Sequence, residues 1–299
     1  MGNIAAFDIG GTFVKHGVIS ENGEVFFSKE YKTHAEKGGK WIIENLCAIV
    51  CELMKKQEIS GVAISTAGVV DPEAGKIVYA NENIPGYTGT EIKKIVEEHC
   101  GIPCEVENDV ACAGLAEAVF GVGRDCKTVV CITVGTGVGG CIIHERKIFH
   151  GAGGCAGEIG YMNIFAGNLE KEGSASALVK RVKEKIQDDT IDGCTIFENA
   201  KAGNEPCVEE IEYMCEVLGQ GIANICCMIN PDMVVLGGGV MKQKEYLEEK
   251  IKKTVSKWIP ESLLKDTALA FAEMENDAGI MQCHLVKTLS RQPLAEQGI

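Results

Sequence analysis

Two glycine-rich segments of the sequence carry residue types that could bind phosphate. In the first, Asp8, Gly10, Gly11, Thr12 and Lys15 follow an apolar run in close succession. The backbone N–H groups of a glycine turn can point at one anion, and glycine allows a close approach of the backbone. Thr12 and Lys15 would add a hydroxyl and an ammonium group, and Asp8 could hold Mg²⁺ through water. A β-turn without any ligand is the alternative.

The second segment is TVGTGVGG, and its candidate phosphate-binding residues are Thr133, Gly135, Thr136, Gly137 and Gly139. It matches the dinucleotide-binding pattern G-x-G-x-x-G, but that motif requires a helix after the turn. The segment CIIHERKIF that follows is strand-like, and the chain contains no Gly-Lys-Ser/Thr sequence of a Walker motif. Both common phosphate sites at helix N-termini are therefore excluded, which leaves a glycine turn between two strands.

Acidic and amide side chains supply a second kind of chemistry. Asn108 and Asp109 lie where a predicted strand is followed by a predicted helix. Asp109 could accept the proton of an attacking hydroxyl group while Asn108 orients the same substrate, although an aspartate here could equally cap the helix. Glu158, between glycines in AGEIGYM, and Glu170, in NLEKEG, could accept hydrogen bonds from a polyol. For Glu170 a solvated acid at a helix start is the simpler interpretation.

The strands that would position these residues occur in two similar sets. The first set is predicted at Asn3–Asp8, Phe13–Ile19 and Glu24–Tyr31, with a hairpin signal at Asn22-Gly23. The segment KTVVCITVGTGVGGCIIHERKIFHG then repeats the order strand, glycine turn, strand, tight turn at Glu145-Arg146 and strand. The repeat predicts two α/β lobes of like build, each with one phosphate-binding turn, that face each other across a cleft.

Further elements follow from apolar periodicity and from turn residues. Buried strands are predicted in GVAISTAG and DMVVLGGG, and a short strand in PCEVEND. Helices are predicted at Lys40–Gln57, in TEIKKIVEEHCG, at Val110–Phe120, Ala175–Gln187, Glu209–Met228 and Lys244–Trp258, and in the closing segment ENDAGIMQCHLVKTL.

Composition limits the classes of function. The chain has 299 residues, 45% of them hydrophobic, and a net charge of −14. It is long enough for two ordinary domains, and its negative charge argues against nucleic acid as a partner because phosphate contacts need an excess of Lys and Arg. No apolar run could span a bilayer, and the N-terminus has neither the layout of a signal peptide nor, with Ala6, a myristoylation pattern. We therefore expect a cytoplasmic protein without a membrane partner.

The sequence contains 15 cysteines. Cys131 and the pair Cys226-Cys227 lie in apolar runs, so we interpret them as small buried hydrophobic residues in a reducing compartment. The pairs Cys47/Cys51 and Cys100/Cys104 each have a four-residue spacing. A zinc site built on them is a minor alternative, since no partner pair lies near either one in the sequence.

Taken together, the motifs resemble those of the ROK family of sugar kinases and repressors. DIGGTFVK and TVGTGVGG resemble its two phosphate motifs, VENDVACAGLAEA its sugar and catalytic motif, GEIGYM its sugar-binding signature with one change, and VVLGGGV its adenosine turn. The resemblance covers nearly the whole chain. It implies an α/β, two-lobed actin-like ATPase fold, with ATP phosphates held between β-hairpin turns, one from each lobe. The N-terminal lobe would comprise residues 1–118 and 284–299, and the C-terminal lobe, for nucleotide binding and dimerisation, residues 119–283.

The resemblance also implies a role for each candidate residue. Asp109 would be the general base for a sugar hydroxyl, usually the 6-OH. The sugar would contact Gly68, Asn83, Asn108, Asp109, Glu158, Tyr161 and Glu170. ATP and Mg²⁺ would be held by Asp8 (Mg²⁺, indirectly), Gly10, Gly11, Thr12, Lys15, Thr133, Gly135, Thr136, Gly137 and Gly139, with Gly238 and Gly239 at the adenosine. The substrate would be a hexose such as glucose, N-acetylmannosamine or a β-glucoside, and the protein a homodimer.

One departure from the family pattern concerns zinc. Tyr161 stands where the family signature has a zinc-binding histidine, and the following NIFAGN has none of the usual cysteines. We therefore expect no zinc site. Some family members, including some β-glucoside and N-acetylmannosamine kinases, also lack the zinc loop, so the change bears on the substrate more than on the reaction.

Two other functions remain as alternatives. The first is a sugar-responsive repressor, although such family members carry a helix-turn-helix domain before the first phosphate motif and Asp8 comes too early to leave room for one. The second is a non-catalytic sugar-binding protein of the same fold, against which the presence of Asp109 argues.

Overall fold

The computed structural model describes residues 2–20 and 24–274. These residues form two compact units. Residues 2–20, 24–116, 150–155 and 274 belong to the first, and residues 117–149 and 156–273 to the second. The hairpin signal at Asn22-Gly23, the closing helix and the segment 284–299 lie outside the described residues, and the lobe boundaries given above stay a prediction.

The first unit is built on a five-stranded sheet with the strand order β3-β2-β1-β4-β7. Its elements are β1 (Asn3–Ile9), β2 (Phe13–Ile19), β3 (Val25–Lys32), α1 (Gly38–Met54), β4 (Ile59–Thr66), β5 (Val69–Asp71), β6 (Lys76–Tyr79), α2 (Ile92–Cys100) and β7 (Cys104–Asn108), after which α3 (Asp109–Val119) begins. Strand β1 is antiparallel to β2 and parallel to β4, and β4 is parallel to β7. The carboxyl ends of β1, β4 and β7 therefore meet at one edge, where ligands commonly bind.

The second unit contains a second five-stranded sheet, with the order β10-β9-β8-β13-β14. Its strands are β8 (Thr128–Val134), β9 (Val138–His144), β10 (Lys147–Ile148), β11 (Asn163–Ile164), β12 (Gly167–Asn168), β13 (Met233–Gly237) and β14 (Ala268–Phe271). Its helices are α4 (Leu169–Gly173), α5 (Ala175–Ile186), α6 (Gly193–Lys201), α7 (Glu205–Ile229), α8 (Lys244–Trp258) and α9 (Glu261–Leu264). Helix α7 packs in the hydrophobic core of this unit, with Met214, Leu218 and Ile222 buried.

The repeat of topology predicted from the sequence is confirmed. In the first sheet, the antiparallel hairpin β1–β2 has β3 beside β2, and the parallel strands β4 and β7 continue the sheet beyond β1. In the second sheet, the hairpin β8–β9 has β10 beside β9, and the parallel strands β13 and β14 continue the sheet beyond β8. The tight turn is also confirmed, because Glu145 and Arg146 both have left-handed φ angles, 51° and 62°, as a two-residue hairpin turn requires.

Several element limits differ from the prediction. Helix α7 begins at Glu205 rather than Glu209, because Asn204 accepts a hydrogen bond from the Cys207 N–H and Pro206 lies in the first turn. Helix α1 spans Gly38–Met54 rather than residues 40–57. The short elements β5, β6, α4, α9, β11, β12 and β14 have too few residues to show a clear period and were not predicted. Helix α6 has nine residues, like α2, and was missed.

One prediction about the cysteines is wrong. Cys131 and Cys226 are buried as expected, but Cys227 is exposed. In a helix, consecutive residues point about 100° apart, so the residue after a buried one can face solvent. Cys100 of α2 lies with its Sγ 3.9 Å from the carbonyl oxygen of Cys47 in α1, and burial raises its pKa to about 12. Such a thiol is a packing residue rather than a nucleophile.

None of the described helices combines the length and the apolar character that a membrane crossing requires.

Candidate active-site residues

Asp8 lies near the carboxyl end of β1, at the centre of the first sheet. It is opposite Lys15 in the antiparallel pairing with β2 and beside Ser65 in the parallel pairing with β4. The Ser65 hydroxyl donates a hydrogen bond to Oδ1 of Asp8 at 3.0 Å. Burial raises the pKa of Asp8, while the Ser65 hydrogen bond and the charge of Lys15 act in the other direction. A nearby cation would favour the ionised carboxylate, so this position fits a water-mediated Mg²⁺ contact.

The glycine turn that follows Asp8 is held by hydrogen bonds from a neighbouring loop. The Gly10 N–H donates to the carbonyl oxygen of Phe13 at 3.1 Å, and the Thr33 hydroxyl donates to the Gly10 carbonyl oxygen at 2.7 Å. Thr33 also donates its N–H to the carbonyl oxygen of Thr12 at 2.9 Å. A methyl group added to Gly11 would meet no atom within 4 Å. The turn is thus fixed in shape, and the space at Gly11 is open to a ligand.

Asn108 and Asp109 lie where β7 ends and α3 begins. Oδ1 of Asn108 accepts a hydrogen bond from the Ala111 N–H at 2.9 Å, so Asn108 is the residue that caps α3. Its Nδ2 donates to the carbonyl oxygen of Gly68 at 2.9 Å and to Oδ1 of Asp109 at 3.1 Å. Oδ1 of Asp109 also accepts from the Val110 N–H at 2.9 Å. Since Asn108 makes the cap, capping alone does not account for an aspartate at position 109.

The turn after β4 brings the loop of residues 80–88 next to this edge of the sheet. Gly68 has a φ angle of +100°, and a methyl group there would lie 2.8 Å from the carbonyl oxygen of Tyr79, so the position requires glycine. The hydroxyl groups of Tyr87 and Thr66 are hydrogen-bonded at 2.6 Å, and burial raises the pKa of Tyr87. The loop lines a cavity of about 390 Å³, but the exposed Asn83 is not among the lining residues.

In the second unit, the glycine turn between β8 and β9 is joined to α4. The Val138 N–H donates to Oε2 of Glu170 at 3.0 Å. A methyl group added to Gly137 would collide with the same carboxylate. The Ala175 N–H donates to the carbonyl oxygen of Gly135 at 2.8 Å. Glu170 is therefore more than a solvated acid at a helix start, because it holds the turn.

Glu158 is half-buried and directly precedes a 3-10 helix at Ile159–Tyr161. Burial and the negative charge of Glu170 both raise the pKa of Glu158. A carboxylate in this environment gains from hydroxyl donors, as a sugar would supply. Tyr161, at the end of the 3-10 helix, is 58% exposed.

Gly238 follows β13 and lies close to β8. Its φ angle is +92°, and a methyl group there would lie 2.5 Å from the carbonyl oxygen of Val134. Gly239, where another 3-10 helix begins, has open space around its α-carbon. Thr133 lies in β8 and is half-buried, and Thr136 lies within the turn between β8 and β9 and is exposed.

The segment that would carry the zinc loop is a small hairpin formed by β11 and β12. Phe165 in this hairpin stacks on Trp258 with ring centroids 5.7 Å apart, and the Phe165 N–H donates to Oε1 of Gln220 at 2.9 Å. Within residues 2–20 and 24–274, no group of three or more His, Cys, Asp or Glu side chains could hold a metal ion.

Comparison with known proteins shows to which family the chain belongs. The model of the ROK family matches residues 4–287. The chain belongs to the ROK family. The resemblance predicted from the motifs is thus confirmed. The predicted α/β fold of the actin-like sugar-kinase type is confirmed as well, by the two sheets and by the likeness to solved ROK structures.

Three similar proteins illustrate the range of the family. An uncharacterized protein of Clostridium perfringens is 45% identical, over 94% of this chain and 96% of its own. A β-glucoside kinase of Listeria monocytogenes is 29% identical, over 93% of this chain and 95% of its own. The structure of a ROK family glucokinase from Streptomyces griseus, in complex with glucose and AMPPNP, aligns with a TM-score of 0.80 at 28% identity, covering 95% of this chain and 98% of its own.

Sequence reasoning missed three residues that hold the site. Ser65 and Tyr87 became visible only through their contacts with Asp8 and Thr66. Glu107 had a signal in the sequence, since it directly precedes Asn108 in VENDV.

Proposed function

We propose that the protein is an ATP- and Mg²⁺-dependent sugar kinase. It transfers the γ-phosphate of ATP to a hydroxyl group, the 6-OH, of a hexose such as glucose, N-acetylmannosamine or a β-glucoside. The observation that carries the proposal is the pair Asn108 and Asp109 at the carboxyl end of β7. Asn108 caps α3 and contacts Gly68, and it holds the carboxylate of Asp109 through a hydrogen bond.

Phosphate transfer to a sugar needs a general base and a sugar hydroxyl that is held in position. The sugar hydroxyl oxygen attacks the γ-phosphorus, the bond from phosphorus to the ADP oxygen breaks, and Asp109 takes the hydroxyl proton. Asn108 and Gly68 orient the sugar, and Asn83 in the loop of residues 80–88 contacts it as well. Most of the rate enhancement in such transfers comes from positioning and from stabilising negative charge.

On the nucleotide side, the two glycine turns bind the phosphates. Lys15 would supply a positive charge, and Asp8 is the residue that would hold Mg²⁺. Bound Mg²⁺ would neutralise charge on the phosphate oxygens. The backbone of Gly10, Gly11 and Thr12 in the first unit would donate hydrogen bonds.

The second unit supplies the remaining contacts. Thr133, Gly135, Thr136, Gly137 and Gly139 would face the phosphates, with Gly238 and Gly239 at the adenosine. Glu158 and Tyr161 would contact sugar hydroxyls. Glu170 would act on both the nucleotide and the sugar site. It holds the glycine turn through the Val138 N–H, and its charge adds to the effect of burial in raising the pKa of Glu158.

The cellular location and the assembly of the protein are also part of the proposal. Because ATP is the donor, the cytoplasm is the proposed location. A homodimer is the proposed assembly, by analogy with the family.

A sugar panel tests the proposal. The purified protein is incubated with ATP and Mg²⁺ and with glucose, N-acetylmannosamine or a β-glucoside disaccharide in turn. ADP is followed in a coupled assay, and the phosphorylated sugar is identified by mass spectrometry. We expect sugar-dependent ADP formation with at least one acceptor. Sugar binding without any turnover across the panel would favour the non-catalytic alternative instead.

A further inference from the structure

The residue directly before Asn108 is a buried glutamate. Glu107, in β7, is 3% exposed. Its Oε1 accepts a hydrogen bond from the backbone N–H of Asn108 at 2.8 Å. Its Oε2 lies 2.7 Å from Nε2 of His150. A carboxylate this deeply buried is costly unless it is paired and hydrogen-bonded, and here both oxygens have a partner.

His150 comes from a distant part of the sequence. Residues 150–155 belong to the first unit, although the residues on both sides of this segment belong to the second. The segment lies tightly against β5, since a methyl group added to Gly154, whose φ is +77°, would lie 2.6 Å from the carbonyl oxygen of Val70. Gly151 also has a left-handed φ angle, 69°. This backbone geometry fixes where the imidazole of His150 lies.

The charges around His150 favour its protonated form. The hydrogen bond to Glu107 raises the pKa of His150, the charges of Glu107 and Asp71 act in the same direction, and burial acts against them. The imidazole side chain is 31% exposed, against 4% for the carboxylate of Glu107. Protons can therefore reach the pair from solvent through His150.

We propose that Glu107 and His150 form an ion pair that positions the Asn108–Asp109 turn for phosphate transfer. Both are positioning residues, because they act through Asn108 rather than on the sugar. The role in catalysis rests on the proposed kinase function, whereas the ion pair does not. Since Oε1 of Glu107 holds the Asn108 N–H, a movement of this carboxylate shifts the side chain that orients Asp109.

The pair gives the site a pH dependence of a defined sign. A histidine whose pKa is raised in the folded protein stabilises the fold fully below its ordinary value of 6.5. That contribution is lost as the pH rises through the raised pKa of His150. Because the charged pair positions the Asn108–Asp109 turn, we expect kcat of the parent protein to decline as the pH rises through the pKa of His150. In His150→Gln this alkaline decline should be absent from the pH profile of kcat.

The kinetic test compares Glu107→Gln and His150→Gln with a matched control. Glutamine at position 107 keeps the shape and an acceptor but removes the charge. The control is Glu36→Gln, which removes the charge of an exposed Glu–His pair, since Glu36 lies 3.1 Å from His34 with 68% of its side chain exposed. We expect both pair variants to lose about 10- to 100-fold in kcat with little change in the KM for ATP, and Glu36→Gln to match the parent.

An independent test needs no enzyme activity. With histidine labelled at its ring carbon, NMR titration gives the pKa of His150, assigned by its absence in His150→Gln. We expect a value above the ordinary one in the parent, a lower value in Glu107→Gln, and a shifted Asn108 amide resonance in both variants. If Glu107→Gln does not fold, the parent titration and His150→Gln still decide the matter.

Three results would overturn the inference. The first is a His150 pKa at or below its ordinary value, and the second is an Asn108 resonance that does not move in His150→Gln. The third is a His150→Gln variant whose kcat and pH profile stay within about two-fold of the parent. If no sugar is turned over at all, the proposed function fails, while the NMR titration still tests the ion pair.

Discussion

Asn108 donates a hydrogen bond from its side-chain amide to the carbonyl oxygen of Gly68, at 2.9 Å. This contact joins the end of β7 to the turn that follows β4. The same side chain accepts the Ala111 N–H, so one residue fixes both a helix start and a loop. Asp109 is the neighbour of this doubly held residue, which limits the positions that its carboxylate can take.

Replacement of Asp109 by asparagine should abolish turnover while the fold and sugar binding are retained. Loss of a general base typically lowers kcat by about 10²- to 10⁴-fold. The measurement is kcat on the best sugar of the panel, with sugar affinity measured by calorimetry. Asp125→Asn, at an aspartate whose side chain is 91% exposed, is the matched control and should behave as the parent. Turnover of Asp109→Asn close to that of the control would rule out Asp109 as the base.

Asn108→Ala should lose both stability and activity. Removal of an asparagine cap costs about 0.5–2 kcal/mol of unfolding free energy. Asn204→Ala removes the equivalent cap of α7, whose Oδ1 accepts the Cys207 N–H at 3.2 Å. Both variants should lose stability in urea unfolding, Asn108→Ala by at least as much because it also loses the hydrogen bond to Gly68, but only Asn108→Ala should show a lower kcat. An equal loss of kcat in the two variants would mean that Asn108 acts through stability alone.

Lys15→Ala should weaken the use of ATP more than that of sugar. Lys15 pairs with Asp8 in the β1–β2 register and its charge acts on that carboxylate, so its removal takes positive charge from the proposed phosphate site. We expect a higher KM for ATP, a lower kcat, or both, in steady-state kinetics with each substrate varied. Lys29→Ala, on the exposed strand β3, is the control. Unchanged ATP kinetics in Lys15→Ala would remove this residue from the site.

Gly137→Ala should disturb the second glycine turn. The added methyl group would collide with the carboxylate of Glu170 and break its hydrogen bond with the Val138 N–H. Because Glu170 is exposed and can turn away, the expected cost is that of the lost hydrogen bond, about 0.5–1.5 kcal/mol of unfolding free energy. We expect a lower Tm and a higher KM for ATP. The control is Gly193→Ala, where a methyl group meets only the side chain of Val179 at 4.0 Å. Normal ATP kinetics in Gly137→Ala would argue against a nucleotide role for this turn.

Chelation should stop activity without unfolding the protein. The hairpin of β11 and β12 is held by the Phe165–Trp258 stack, so its stability should not depend on zinc. EDTA should leave the Tm unchanged and abolish turnover, and Mg²⁺ alone should restore it. Zinc content is measured by mass spectrometry on the purified protein. One zinc ion per chain, or a recovery that needs zinc, would contradict this interpretation of the segment.

Local sequence determined the parts of this protein that depend on neighbouring residues. Alternation and turn residues predicted the strand Phe13–Ile19 and the turn at Glu145-Arg146 correctly. These patterns arise from side-chain period and backbone φ preference, which act over a few residues. The predicted start of α7 was four residues late, because a cap such as Asn204 can start a helix ahead of its apolar period.

The tertiary structure alone decided which distant residues meet. Ser65 contacts Asp8 because β1 and β4 pair in parallel with that register, and His150 reaches Glu107 across 43 positions of sequence. A hairpin turn can fix the register of two consecutive strands, but β1 and β4 are distant in the sequence and no turn joins them directly, so their pairing depends on the packing of the whole sheet. The motifs therefore gave the candidate site residues, which stay a prediction, while the contacts that hold those residues in place became visible only in the folded chain.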